Sequence, residues 1–311
     1  MNALLLPDVV LREVGMRDGL QALARTVPTA TKIEWLHGLY GAGLREIEIG
    51  SFVPARLLPQ LADTATLVAE ALRLSDLVVT VLVPNLKGAQ AALDSGAHGL
   101  LFPLSASHAH SLANLRRTPD EALAELGRIR AVRDAAGSRC HIEVGISTAF
   151  GCTLQGAVPE AEVLRLLQAA LDAGADAVGL ADTVGFANPL QVQRLFEQGR
   201  ARVGERLGTA HFHDTRGLGA ANSYAAWSTG VRRFDASLGG IGGCPHAPGA
   251  SGNVATEDLA WMFAGMGQST GLGFDALMAL RQRIAGWIVG DPLHGAIWRA
   301  GLPRTLIEAA A

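Results

Sequence analysis

Cysteine is scarce in this chain: Cys140, Cys152 and Cys244 are odd in number and far apart among 311 residues. Such a set argues against a disulfide framework and fits a reducing compartment, so a cytoplasmic location is expected. No apolar run approaches the roughly 20 residues of a membrane span, and the apolar start from Met1 to Pro7 has neither a basic leader nor a cleavage site, so no export signal is expected. Excess positive charge is also missing. A net charge of −3 gives no general pull towards nucleic acid or an anionic membrane, and neither is an expected partner. Nor does a glycine-rich dinucleotide fingerprint follow the first β-rich run, which argues against a doubly wound nucleotide-binding sheet.

Apolar residues, by contrast, make up 49% of the chain and charged residues 18%, a balance that supports a large core rather than disorder. Eight short β-rich runs alternate with longer helical patterns, at 9–14, 45–49, 77–83, 99–104, 141–147, 177–181, 209–213 and 233–238. Helix starts are marked at Thr118–Pro119 with Glu121, at Asn188–Pro189, and at Thr256 with Glu257 and Asp258. Four helices are expected to end in a small residue and a glycine just before a strand: Ala42–Gly43, Ser95–Gly96, Ala173–Gly174 and Thr229–Gly230. Eight strands alternating with helices imply a parallel sheet, and eight is the number that closes a barrel. The expected fold is therefore a single (β/α)8 TIM-barrel domain over about 9–268, with additional C-terminal helices over about 269–311, among them an apolar-periodic stretch from Phe274 to Val289.

In such barrels chemistry sits at the carboxyl ends of the strands, and the unusual polar residues gather there. EVGMRDGLQ places Arg17, Asp18 and Gln21 after the first strand, Glu48 ends the second, and Asp182 follows the sixth. HFHDT carries His211 and His213. Residues two apart on a strand share a face, so these imidazoles form a fork, which Asp18 faces from another strand. Two imidazoles with oxygen donors and no thiolate suit Mg2+ or Mn2+, and are also compatible with Zn2+, Co2+ and Fe2+. A lone histidine would more often be a core residue, and Arg17–Asp18 alone would read as a surface turn. After the eighth strand, residues 239–253 hold six glycines and two prolines, either a plain surface connection or a lid that approaches a ligand closely. Cys244 stands on this loop, as an acid, base or nucleophile or simply as a free thiol.

The segments EVGMRDGLQ, IEIGSFVPARLLPQLAD, VPNLKG, GLADTVG, HFHDTRGLGAAN and GGIGGCPHAPGASGNVATEDL resemble the 3-hydroxy-3-methylglutaryl-CoA lyase family over about residues 9–270. The Arg-Asp and His-x-His elements are shared with the related synthases, whereas the Cys244 loop resembles the lyases alone. The resemblance implies divalent-metal ligands at Asp18, His211, His213 and Asn253, and a catalytic arginine and cysteine at Arg17 and Cys244. It further implies active-site acids at Glu48 and Asp182, and substrate contacts at Arg17, Gln21, Asn85 and Lys87. An acyl-CoA substrate, a homodimer, and cleavage of 3-hydroxy-3-methylglutaryl-CoA to acetyl-CoA and acetoacetate follow in the same way. His211 or Asp18 would take the hydroxyl proton, with His211 preferred; Arg17 would steady the enolate and Cys244 would protonate it. Arg25, Arg56 and Lys87 are candidate partners of the CoA phosphates.

The chain departs from the family pattern at Met16, where proline is usual, at Ala22, Leu23 and Ala24, at Ser107–His108, and at Thr153, Leu154 and Gln155. These changes keep a longer or less acidic 3-hydroxyacyl-CoA open as the substrate. Another lyase, aldolase or Claisen-type synthase of this superfamily is the alternative enzyme. A metal-holding binding barrel without turnover is the reading from a different class.

Overall fold

The structure, a computed structural model, describes residues 7–243 and 252–303. Eight parallel strands close a barrel in sequence order: β1 (Val10–Glu13), β2 (Glu46–Ser51), β3 (Val78–Leu82), β4 (Gly99–Ser105), β5 (His141–Ser147), β6 (Ala177–Asp182), β7 (Leu207–Phe212) and β8 (Arg233–Ala236). β1 closes the ring on β8 with Arg12 opposite Asp235. The expected fold class is thus observed, and each β-rich run contains or overlaps a strand.

Local chemistry explains the helical ring. Thr118 caps the helix Pro119–Ala135 in a full capping box with Glu121, and the Asn188 side chain accepts from Gln191 N at the start of Pro189–Val203. Gly43, Gly96, Gly174 and Gly230 all take positive φ before β2, β4, β6 and β8, the left-handed turn that a side chain would strain. Beyond the barrel, the helix Phe274–Trp287 packs on the first barrel helix, Thr29–Gly41. No helix among the described residues is long and apolar enough to cross a membrane.

The outer side of β1 holds an unusual acidic pocket. Glu13 is fully buried and accepts from the backbone of Gly15 and Leu238 and from Thr256 Oγ1. Glu257, also buried, accepts from Gly239 N and pairs with Arg281 at 3.1 Å. Together these carboxyls hold the turn Leu238–Gly240 from which the glycine-rich loop departs.

Burial pushes Glu13 up to about 7 although its hydrogen bonds favour the charged form, and burial likewise pushes Glu257 up to about 7. Glutamate in an unfolded chain titrates near about 4.3. The folded chain therefore keeps protons that the unfolded chain has lost, and stability falls as pH rises between those two values. The urea midpoint is expected to be lower at pH 8 than at pH 5.5, and Glu13→Gln should flatten that slope. A midpoint that rises over this interval contradicts the assignment.

Candidate active site

The carboxyl ends of the strands open into a cavity of about 990 Å3, the size range of small-molecule sites. Directly after β1 the chain makes a single π turn, Gly15–Gly19, which turns Arg17 and Asp18 inward and buries both. Such turns often mark functional sites. Arg17 is held on two sides, with Nη1 donating to Asp18 Oδ1 at 2.6 Å and Nε 2.9 Å from Glu48 Oε1. Burial alone would lower the Arg17 pKa, but the charges of Glu48 and Asp18 raise it, so the guanidinium is a fixed cation. Conversely, burial is outweighed at Asp18, where Arg17 and His213 hold the carboxyl well below its ordinary range.

β7 delivers His211, and His213 follows one residue beyond the strand in a bridge to Asn253. The two rings lie 5.0 Å apart between centroids, and ligand atoms of Asp18, His211 and His213 all fall within 4.8 Å of one another. Asn253 Nδ2 donates to Asp18 Oδ2 at 2.7 Å and to the Ile241 carbonyl at 3.0 Å. Its Oδ1 is buried without a hydrogen-bond partner, as is His213 Nδ1. An orphaned amide oxygen beside two imidazoles and a carboxylate is a donor set that a hard or borderline divalent cation would satisfy. Gly242 approaches the same corner so closely that a Cβ there would strike Asn253 and Asp18.

Three charged residues that bear on this corner escape a reading focused on the strand ends: Arg12, Glu143 and Asp235. Arg12 is buried at the cavity floor, with Nη1 and Nη2 on Glu143 at 2.8 and 3.0 Å, and Nε and Nη2 on Asp235 at 2.7 and 3.1 Å. Asp235 Oδ2 lies 3.1 Å from His211 Nδ1. A carboxylate on one ring nitrogen fixes the ring and leaves the other, Nε2, for a ligand. Burial would lower the His211 pKa, yet Asp235 and then Asp18 carry it above the ordinary value. The available signal was a charge inside an otherwise apolar strand, in VLRE, HIEV and RFDA.

Arg17, Asp18, Gln21, Asn85, His211 and His213 border the cavity as expected, with Gln21 Nε2 on Asp18 Oδ1 at 2.9 Å. Asn253 joins them through Asp18. Four expected residues stand elsewhere. Glu48 touches Arg17 and does not line the cavity. Asp182 is spent on the backbone N–H groups of Phe186 and Ala187, at 2.8 and 3.0 Å, which makes it the brace of a turn. Lys87 is exposed outside the cavity, as is Arg25, while Arg56, Arg116 and Arg117 line its mouth. Asn85 also caps the helix Leu86–Ser95. Cys244 lies outside the described residues.

A closed parallel barrel with a corner of carboxylate and imidazole donors beside a fixed guanidinium has the layout of a barrel enzyme. Comparison supplies its kind. Residues 8–284 match the profile of the HMGL-like family. The (R)-citramalyl-CoA lyase of Chloroflexus aurantiacus is 39% identical, covering 94% of this chain and 95% of the relative. A hydroxymethylglutaryl-CoA lyase of Bacillus subtilis is 38% identical over 92% of this chain and 94% of its own length. Among solved structures, an HMG-CoA lyase from Acinetobacter baumannii in complex with coenzyme A and 3-methylmalate superposes with a TM-score of 0.89 at 40% identity, covering 94% of this chain and 95% of that one. The chain belongs to the HMGL-like family and is a carbon–carbon lyase.

If His213 and the Asp235-held His211 are ligands, His213→Ala and Asp235→Asn should each weaken Mn2+ binding by roughly 10–100-fold, the loss typical even of groups that only orient a ligand. Titration calorimetry on the two variants measures this. Unchanged affinity in His213→Ala would remove it from the ligand set.

Proposed function

We propose that the chain cleaves a 3-hydroxyacyl-CoA of the hydroxymethylglutaryl or citramalyl type between its second and third carbons, with a divalent cation, Mg2+ or Mn2+, held by Asp18, His211, His213 and Asn253. The observation that carries this reading is the corner itself: the ligand atoms of Asp18, His211 and His213 within 4.8 Å of one another, the orphaned Asn253 Oδ1 beside them, and Arg17 fixed against Asp18. The lyase names of the relatives support the substrate class. When bound, the cation would lower the pKa of the substrate hydroxyl and fix its oxygens.

The residues divide the remaining work. Sequence favours His211 as the base, but its Nδ1 is committed to Asp235 and only Nε2 is left. A single nitrogen cannot serve as ligand and base at once, and Asp18, also a ligand, is held well below its ordinary range and is a poor base, so the hydroxyl proton is assigned to water in the cavity. The bond between the second and third carbons then breaks; its electron pair becomes the enolate of the departing acyl-CoA, and the third carbon becomes a ketone. Arg17 lines the cavity and is locked by Glu48 and Asp18, so it is in place before negative charge reaches the thioester oxygen. Cys244, by its place in the lyase-like loop, donates the proton to the enolate carbon. At the mouth, Arg56, Arg116 and Arg117 provide cations for the CoA phosphates.

Incubation with hydroxymethylglutaryl-CoA or citramalyl-CoA and Mg2+ or Mn2+ should release acetyl-CoA, and chelation should stop it. Release from neither substrate with either metal overturns the reading. Arg17→Gln should cut kcat by about two orders of magnitude with little change in KM, because the charge it meets exists only in the transition state. A raised KM at normal kcat would make Arg17 an anchor instead.

Cys244→Ser replaces a thiol of unperturbed pKa near about 8.5 by a much weaker acid. The variant should fold and bind Mn2+ normally while losing most turnover. Full activity would hand protonation to solvent.

A further inference from the structure

Deep in the cavity, the wall on β5 and β6 is built from residues with little or no side chain: Gly145, Gly179 and Ala181. The two glycines are there for different reasons. A Cβ on Gly179 would crowd Thr209 at 3.0 Å, on both its Cβ and its carbonyl oxygen, so close strand packing demands glycine. A Cβ on Gly145 would meet only Leu101 Cδ1, at an ordinary 3.6 Å, and the backbone of Gly145 does not take positive φ. Neither packing nor conformation requires glycine at 145, and a strand interior pays for it in chain entropy. What glycine does there is leave space, beside Leu101 and opposite Pro103 on β4.

Charge says what can fill the space. Glu143 precedes Gly145 by two residues on the same face of β5, and the floor beside it is one guanidinium against two carboxylates, Arg12 with Glu143 and Asp235. The cation of that cluster is engaged on both sides, so Arg12 offers no free charge to a ligand. A substrate carboxylate pressed against this wall would lose water and gain no unpaired cation, whereas an alkyl group would bury apolar surface.

We infer that Gly145 opens a pocket for an uncharged substituent larger than methyl on the third carbon of the acyl group, and that filling this position narrows the enzyme to small substrates. The inference rests on the 3-hydroxyacyl-CoA reading and specifies its substrate class: the neutral branch on the third carbon runs over Gly145. Ala22 and Leu23, which also border the cavity, keep its wall apolar towards the mouth.

The test compares hydroxymethylglutaryl-CoA with its analogue carrying hexyl in place of methyl, in the wild-type chain and in Gly145→Ala and Gly145→Leu, with Mn2+ present. Both kcat/KM and equilibrium binding by calorimetry are read. Wild type should cleave and bind both substrates within about tenfold of each other. Gly145→Leu should shift that preference at least about thirtyfold towards methyl, with Gly145→Ala between, since each missing or clashing methylene is worth roughly 10–200-fold. Cleavage of the methyl substrate with rejection of hexyl by the wild type overturns the pocket and leaves the lyase reading standing. Equal losses on both substrates in the leucine and alanine variants overturn the role of Gly145. Cleavage of neither substrate defeats the lyase reading, and the pocket is then judged by binding: hexyl bound as tightly as methyl and displaced by leucine supports it, and hexyl bound tenfold or more weakly by wild type overturns it.

Discussion

Arg12 is the residue on which the geometry of this barrel end depends. Its guanidinium binds Glu143 across the lumen and Asp235 on the neighbouring strand, so one planar fork ties β1, β5 and β8 together at the point where the ring closes. Burying these three charges is costly, and their mutual pairing mainly offsets that cost rather than adding net stability. Removing one partner leaves the others uncompensated, a loss of roughly 3–5 kcal/mol in comparable buried pairs. The clamp therefore acts as a constraint on geometry, and the site inherits that constraint through Asp235, whose second contact is His211.

From Asp235 the ordering runs outward. His211 is fixed in rotation, His213 stands beside it, and the bridge from His213 to Asn253 brings the far end of the glycine-rich segment onto the same corner. On the opposite side the π turn after β1 supplies Arg17 and Asp18 together, so the cation of one residue neutralises the anion of the next at 2.6 Å. Glu48 completes that arrangement from β2, with Oε1 2.9 Å from Arg17 Nε. The result is a site preorganised by side chains that do not all touch the cavity, as the proposed stabilisation of an enolate would need.

The sequence makes some of this legible and hides the rest for a physical reason. The strands, the capped helices at Pro119–Ala135 and Pro189–Val203, and the fork His211–His213 are written in local spacing, and the structure shows each of them. Arg12, Glu143 and Asp235 are not legible that way. Each is a single charge in a short strand, and only barrel closure brings residues 131 and 223 positions apart into contact. At Asp182 the structure adds what spacing does not show: its two oxygens close a turn by accepting backbone N–H groups. Position in the strand is visible in a sequence; how a carboxylate spends its lone pairs is not.

The same clamp has a consequence for what the enzyme can accept. A floor that must remain charged to hold His211 cannot also be apolar, so selectivity for an alkyl branch has to be placed on a wall rather than at the bottom. β5 meets both demands within three residues: Glu143 serves the clamp, and Gly145, next on the same face, contributes nothing but room. In the proposed reading, catalytic geometry and substrate size are set by neighbouring positions on one strand. A Cβ added at 145 meets Leu101 and not the charged cluster, so the pairing of Arg12 does not depend on glycine there. Glu143 has no such freedom, since any change in its charge passes through Arg12 and Asp235 to the imidazole at the cation corner.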